Sequence, residues 1–315
     1  MKPAKAEFAA YFLKSVGKPL QQSVPLSLYS NFKIGGTADY FFEAGSATEL
    51  RHALQAAREY ELPYYVIGGG YNLLFDNEGY RGLIIKNAVQ SLKQLGKNPE
   101  IEISAGSLLS DMVDYCSQQG LTGFEFLAGI PGTVGGAIFG NAGAFGESIG
   151  NYLKEAFLLN EQGAKVKVGS KYFVFDYRSS ILKKKHYLLL KAVFSLQPGD
   201  PLKIKKNIEE NLAKREKKHP PLSVASAGSY FKNPVGPEGK KIAAAYLLEQ
   251  VGAKNLKVGK AAVHPFHSNF IINLGGASCR DILALAEKLK KRVKEKFGIE
   301  LEEEVIYLPE ERSML

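Results

Sequence analysis

Short apolar runs separated by glycine, proline and charged breaks set the rhythm of this chain. Phe41–Ala44 forms one such run. After Gly45, either Ser46 or Thr48 is suited to cap a helix that continues through Leu54 and Ala57 to Tyr60 and stops at Pro63. Tyr64–Ile67 is predicted as a buried strand, with Gly82–Lys86 and Ile101–Ser104 as further strands, so the order is strand, helix, strand, glycine loop, strand. Leu108–Gln118 has helical character and breaks at Gly120. Beyond it, Ala156–Leu159, a turn at Gln162–Gly163 and Lys165–Val168 predict a hairpin, and Tyr187–Phe194 predicts the longest strand. Pro198-Gly-Asp-Pro201 then interrupts the pattern ahead of a lysine-rich helix from about Leu202 to Lys218, which Pro220-Pro221 ends; a domain boundary is expected near residue 198. A last helix carries Ile282, Leu285, Leu289, Val293 and Phe297 at helical spacing.

At 315 residues and 45% hydrophobic content, the chain is expected to bury a substantial core and to divide into two or more domains. Its two cysteines, Cys116 and Cys279, have no metal-ligand spacing and point to a reducing compartment. The opening Met1–Ala10 has no uninterrupted apolar stretch and no later segment approaches a membrane span, so a soluble, unprocessed, cytoplasmic protein is expected. The net charge of +9 admits nucleic acid as a partner. It equally suits an anionic small molecule such as a diphosphate, and much of it sits opposite the apolar stripe of the last helix, as on a solvated face.

Two segments make an unusual demand on the backbone: Val66-Ile-Gly-Gly-Gly-Tyr-Asn-Leu-Leu-Phe75 and Gly129-Ile-Pro-Gly-Thr-Val-Gly-Gly-Ala-Ile-Phe-Gly-Asn-Ala-Gly-Ala144. Glycine at this density forfeits packing and order, which is tolerable where main chain must turn tightly or touch a phosphate or flat ring directly. Together they predict one extended cofactor held by backbone NH groups. Four polar segments, Phe175–Ser180, Ser226–Pro234, His264–Phe270 and Leu301–Val305, look chemical, yet each has an ordinary alternative. Arg178 is suited to a surface ion pair, Ser229 to a turn after Gly228, and Glu304 to the face of an edge strand.

Six ordered blocks decide between these readings: Asn31-Phe-Lys-Ile-Gly-Gly36, Ile67–Leu74, Ala128–Ala137 with Asn141-Ala-Gly143, Tyr177-Arg-Ser179, Gly228–Pro234 and Leu301–Val305. In them, along nearly its whole length, the sequence resembles the UDP-N-acetylenolpyruvoylglucosamine reductase (MurB) family, and within it the shorter, type II branch. The resemblance implies an α+β fold. An FAD-binding domain of the vanillyl-alcohol-oxidase (PCMH) type, in two α+β lobes, would span residues 1–197, and a smaller C-terminal α+β substrate domain residues 198–315. It also implies a flavoenzyme of peptidoglycan precursor synthesis. In that family NADPH reduces FAD, NADP leaves, and the enolpyruvyl ether of UDP-N-acetylglucosamine enters and becomes UDP-N-acetylmuramate. The histidines, His52, His186, His219, His264 and His267, lie outside both glycine loops, so FAD is expected to bind noncovalently. No metal, membrane insertion, nucleic acid or obligatory protein partner is implied.

By the same resemblance Arg178 sets a cationic fork against the substrate carboxylate, Glu304 carries or shares a proton there in a desolvated setting, and Ser229 hands a proton to the neighbouring carbon. The cofactor falls to Ile67, Gly68, Gly69, Gly70, Tyr71, Asn72 and Leu73, and to Ile130, Pro131, Gly132, Thr133, Gly135, Gly136 and Ala137. Successive NH groups in such loops form an anion-binding concavity. Lys232, Asn233 and Lys254 are candidates for the UDP part, with a solvated surface as the alternative for the lysines. Three residues depart from the family pattern: Tyr71 for a small serine, His219 for glutamine and His264 for serine. Two other readings compete. Another FAD-dependent oxidase or dehydrogenase, of a hydroxy acid or sugar lactone, explains the glycine loops but not the Arg178, Ser229 and Glu304 blocks. A basic nucleic-acid-binding protein leaves the glycine segments without purpose and lacks aromatics interleaved with its basic residues.

Overall fold

Strand Thr37–Ala44 alternates its side chains between two cores, and this alternation organises the first lobe. The computed structural model describes residues 5–236 and 238–311; the outer ends of both expected domains, residues 1–4 and 312–315, lie outside them. Tyr40, Phe42 and Ala44 face helices α1 (Lys5–Val16) and α2 (Ala47–Glu59), where Phe8, Phe12, Leu50 and Leu54 close the layer. Phe41 points the opposite way, to Leu26, Phe75, Tyr80 and Ile84. Each fully buried phenylalanine contributes roughly 1.5–3 kcal/mol. The sheet runs Gln21–Pro25, Thr37–Ala44, Tyr80–Asn87, Tyr64–Ile67, antiparallel at its first pair and parallel elsewhere. Ser46 settles the cap of α2: its hydroxyl accepts from the Glu49 amide at 3.2 Å.

The second lobe is a five-stranded antiparallel sheet in the order Lys165–Gly169, Leu153–Leu159, Leu188–Ser195, Glu100–Ser104, Leu92–Gln94. The turn between its first two strands follows the expected chemistry, with Gly163 at φ +78° and the Asn160 side chain accepting from the amides of Gln162 and Ala164. Helix α3 (Leu109–Gln118) buries Leu109, Met112, Val113 and Cys116 in this core. Part of the second glycine segment, expected as loop, is instead helix α4 (Val134–Gly140). Thr133 caps it by accepting from the Gly136 amide, and Val134, Ala137 and Ile138 anchor it in the same core, so packing overrides glycine's poor helix propensity.

Helix α5 (Pro201–Lys218) starts at an Asp200 cap with proline at its first position. The expected boundary at residue 198 falls ahead of α5, yet Ile208 packs on the second-lobe core and Asn211 donates to the Glu125 carbonyl at 3.0 Å. A three-stranded antiparallel sheet, Lys257–Val258, Ala261–His264 and His267–Asn273, then packs against α6 (Ala244–Gln250) and α7 (Cys279–Phe297). A Ser278–Asp281 capping box opens α7, and Gly298, at φ +67°, ends it. This core takes in Phe32, Ile34 and Leu74 from the first lobe, and the returning strand Ile306–Leu308 pairs in parallel with Leu73–Phe75. That return carries residues 301–305 back to the first glycine segment. Among the described residues no helix is long and apolar enough to cross a membrane.

Candidate active site

Both glycine segments form one surface. A Cβ on Gly68 would stand 2.4 Å from Thr133 Oγ1, and one on Gly69 would meet the Tyr71 ring at 2.8 Å with the Gly132 Cα 3.7 Å away. Gly70, at φ +72°, lies so close to the Tyr29 carbonyl that a Cβ would approach its oxygen to 1.8 Å. Gly68 and Gly69 therefore lie against Thr133 and Gly132 of the second segment while Gly70 packs on the Tyr29 backbone, and Gly69, Tyr71, Gly129 and Gly136 are exposed along the rim. Other expected cofactor residues serve the fold with their side chains: Ile67 and Leu73 are core of the first lobe, and Ala137 of the second. A shallow, side-chain-poor groove of this kind fits a flat ring and a diphosphate held by backbone NH groups.

Arg178 is held in a strained turn. Its φ is +53°, within the left-handed region that costs a non-glycine residue about 1 kcal/mol or more. Paired backbone bonds of 3.1 Å between Asp176 and Ser179 close the turn. It is pinned to α4 by Ser180 Oγ donating to the Phe139 carbonyl at 2.8 Å, and to Asn141, whose side-chain amide donates to the Asp176 carbonyl at 2.9 Å. The guanidinium donates through Nη1 to the Gly143 carbonyl at 3.0 Å, and its Nε stands 2.7 Å from Glu304 Oε1. That second contact is an ion pair without hydrogen-bond alignment, because the buried Nε–H is not aimed at the oxygen.

Glu304 in turn joins three segments. Its amide donates to the Tyr230 carbonyl at 2.8 Å, which sets Ser229 one residue away, and its carbonyl accepts from the Asn72 side chain at 2.9 Å. Its neighbours alternate as strand residues do: Glu302 pairs with Lys232, while Glu303 turns away to Lys290 at 3.7 Å. Arg178 and Glu304 therefore meet in direct contact, and Ser229 precedes the residue whose carbonyl receives the Glu304 amide.

Asn233 takes its amide to the Tyr177 hydroxyl at 3.3 Å and its side-chain oxygen to the Ala244 amide at 2.9 Å, tying the Arg178 turn to the start of α6. Lys254 Nζ pairs with Glu249 at 2.7 Å, beside α6. Two lysines that sequence reasoning passed over stand nearer the turn. Lys241 Nζ lies 3.6 Å from the centre of the Tyr177 ring, and Lys183 Nζ donates to the Arg178 carbonyl at 2.8 Å. Desolvation, then repulsion from Lys232, holds the Lys183 pKa below the usual lysine value although Glu304 and Glu302 oppose the shift. Nothing in the run Ile181-Leu-Lys-Lys-Lys185 distinguishes Lys183 from its neighbours; only the turn that bends back onto it does.

Residues 38–169 match a family described as an FAD binding domain, and residues 220–308 match the UDP-N-acetylenolpyruvoylglucosamine reductase C-terminal domain. UDP-N-acetylenolpyruvoylglucosamine reductases from Caldanaerobacter subterraneus subsp. tengcongensis and Carboxydothermus hydrogenoformans are each 39% identical. The first alignment covers 95% of this chain and 98% of the relative, the second 97% and 99%. The chain belongs to the UDP-N-acetylenolpyruvoylglucosamine reductase family. The crystal structure of the reductase from Thermus caldophilus superposes with a TM-score of 0.77 at 31% identity, covering 92% of this chain and 100% of that one. The FAD-binding fold and the C-terminal domain of the reductase family are thus both present.

Against the family pattern, Tyr71 places an aromatic ring on Gly69 at the groove rim. His264 and His267 act as turn caps, their Nδ1 atoms accepting from the amides of Phe266 and Asn269 at 3.2 Å. His219 closes α5 and stacks on Phe270, with ring centres 5.7 Å apart. In this member of the reductase family the three histidines belong to the C-terminal packing.

Proposed function

We propose that Arg178, Ser229 and Glu304 form one reaction centre on the rim of the glycine groove, where an enolpyruvyl ether is reduced. The observation that carries the reading is the Glu304 junction, which contacts the Arg178 guanidinium, the segment bearing Ser229 at the Tyr230 carbonyl, and the Asn72 side chain at once. The chain is an FAD-dependent oxidoreductase, a UDP-N-acetylenolpyruvoylglucosamine reductase (UDP-N-acetylmuramate dehydrogenase) of peptidoglycan synthesis. When bound, FAD supplies the hydride equivalent that NADPH provides. Residues 67–73 and 130–137 would hold it noncovalently, mainly through backbone.

Each side chain has a distinct task. Arg178, fixed by Gly143 and by its strained turn, meets the substrate carboxylate and stabilises the charge that flows into it as the double bond is reduced. Entry of that carboxylate breaks the Arg178–Glu304 pair, and Glu304, now beside a second carboxyl group, takes up a shared proton. Ser229 delivers a proton to the carbon bearing the carboxylate. Lys232, Asn233 and Lys254 would serve the UDP portion, with residues 1–197 holding the flavin and 198–315 the nucleotide. The enzyme works in the cytoplasm on a small molecule and needs no protein partner, nucleic acid or membrane.

The test is a coupled assay on purified protein. Yellow protein that consumes NADPH only when UDP-N-acetylenolpyruvoylglucosamine is supplied, forming UDP-N-acetylmuramate, supports the reading. Colourless protein that FAD cannot reconstitute, or rapid oxygen consumption indifferent to the nucleotide, contradicts it.

A further inference from the structure

The lysine-rich helix α5 has one buried stripe, and it ends in a charge. Ile204 is buried, and Ile208, Asn211 and Arg215, recurring at helical spacing after it, are half-buried, while Lys214, Glu216, Lys217 and Lys218 around Arg215 stay exposed. Arg215 Nη2 donates to the Phe126 carbonyl at 3.2 Å, but its Nε is buried without a hydrogen-bond partner. Among the described residues no carboxylate pairs with it. Burying a cation that no anion neutralises is costly, and such sites persist where an anion is to be met.

Its position says which anion. The Arg215 Cδ lies 3.1 Å from where a Cβ would stand on Gly129, at the start of the second glycine segment. The guanidinium also lies against the Phe145 ring, 5.5 Å from its centre. Phe145 is the tip of the turn between Gly143–Ala144 and Glu147–Ser148, and that same turn holds Arg178 through the Gly143 carbonyl. Burial lowers the Arg215 pKa, and the charge of Arg178 lowers it further. One hairpin thus contacts two cations, each with a buried Nε–H that no acceptor receives, and of the two Glu304 pairs with Arg178 alone.

We propose that Arg215 is a second carboxylate-binding residue of the reaction centre, acting with Arg178 on the enolpyruvyl carboxylate; this rests on the reductase reading above. In the reduction, hydride bonds to the terminal vinyl carbon, and the electron pair of the double bond moves onto the neighbouring carbon and into its carboxylate. A proton then bonds to that carbon, the substrate is reduced and NADPH is the reductant consumed. The carboxylate carries most charge midway, when two cations repelling each other across it gain most from its presence. Arg215 therefore contributes more to the transition state than to binding.

The experiment compares Arg215→Met and Arg215→Lys with the parent, all loaded with FAD, using two nucleotides. UDP-N-acetylenolpyruvoylglucosamine bears the carboxylate, and UDP-N-acetylglucosamine lacks it. By calorimetric titration, Arg215→Met weakens the first by about tenfold to a hundredfold, the range of a charged hydrogen bond. It leaves the second unchanged, and reoxidation of reduced flavin by the first slows by more than binding weakens. Arg215→Lys recovers part of both losses. Equal weakening of the two nucleotides assigns Arg215 to the diphosphate and overturns the proposal, as does no weakening of either. Parallel loss of flavin and thermal stability in both variants overturns it in favour of a structural arginine. A parent protein that the enolpyruvyl nucleotide never reoxidises defeats the reductase reading itself, whereas a normal parent with an unaffected Arg215→Met defeats this assignment alone.

Discussion

The Asn72 side chain donates to the Glu304 carbonyl at 2.9 Å across 232 positions of sequence, and the Asn72 carbonyl accepts in return from the Ile306 amide at 3.0 Å. The first glycine segment and Glu304 are therefore one mechanical unit, although they lie in stretches matched by two different domain families. Whatever shifts that segment also shifts Glu304.

Asn72→Ala is expected to uncouple them. Loss of one partly buried hydrogen bond costs about 0.5–1.5 kcal/mol of stability. FAD retention and turnover fall together, because the loop and Glu304 both lose their register. Flavin content, unfolding midpoint and kcat/KM measured on one preparation check this; flavin affinity and turnover both unchanged would show that the link carries nothing.

Glu304→Gln keeps the shape and removes the charge. The Arg178–Glu304 pair is partly exposed, so folding stability changes by less than about 1 kcal/mol. Turnover falls by at least about a hundredfold, a typical cost of losing one charge-stabilising group. Urea unfolding beside steady-state kinetics tells the roles apart, and a large stability loss with normal turnover per folded molecule would make Glu304 structural.

Two glycines separate fold from cofactor. Gly136 lies within α4 at the exposed rim, and an added Cβ meets only Thr133 Oγ1 at 3.5 Å. Gly136→Ala should leave the flavin-free protein as stable or up to about 1 kcal/mol more stable, as alanine favours helix. It should nevertheless weaken FAD binding. Gly70→Ala forces a Cβ to 1.8 Å from the Tyr29 oxygen at φ +72° and should destabilise the protein itself by several kcal/mol, of order 3 or more. Thermal unfolding without FAD and titration with it distinguish them; Gly136→Ala with full FAD affinity would move the cofactor off this rim.

Stability should also depend on pH through the histidines. Burial, reinforced by His219, pushes His267 down to about 4 from 6.5. The folded chain keeps this ring neutral while the unfolded chain takes a proton as pH falls through 6.5, so the unfolded state binds more protons in between. Stability is complete above about pH 6.5 and is lost progressively towards pH 4, with His219 and His264 displaced in the same direction. Urea unfolding from pH 7.5 to 4.5 should show this slope, and His267→Gln should flatten it. An unchanged slope would place the proton uptake elsewhere.

Much of this was legible in the sequence because the demands were local. Tyr64–Ile67 and Tyr187–Phe194 are apolar runs, and the glycine segments declare a backbone that something must touch. Helix α1 escaped notice although Phe8, Phe12 and Val16 stand four apart, since short lysine-flanked spacing resembles a solvated leader. Helix α4 is invisible to propensity, as three of its seven residues are glycine and it is held by the Thr133 cap and the packing of Val134, Ala137 and Ile138. Arg215 was hidden among exposed basic neighbours. Its burial follows from which face of α5 meets the second lobe, a tertiary fact. Likewise the meeting of Arg178 with Glu304 depends on a strained turn and on a terminal strand returning to the first lobe.

The most direct test of the shared reaction centre is an anaerobic stopped-flow trace on FAD-loaded protein with and without Ser229→Ala. In the parent, NADPH bleaches the flavin and UDP-N-acetylenolpyruvoylglucosamine restores its colour. In Ser229→Ala the account predicts bleaching within a few-fold of normal and colour return slowed by roughly a hundredfold to ten-thousandfold, the span of a positioned proton donor. Equal slowing of both phases, or colour return at the parent rate, would contradict it.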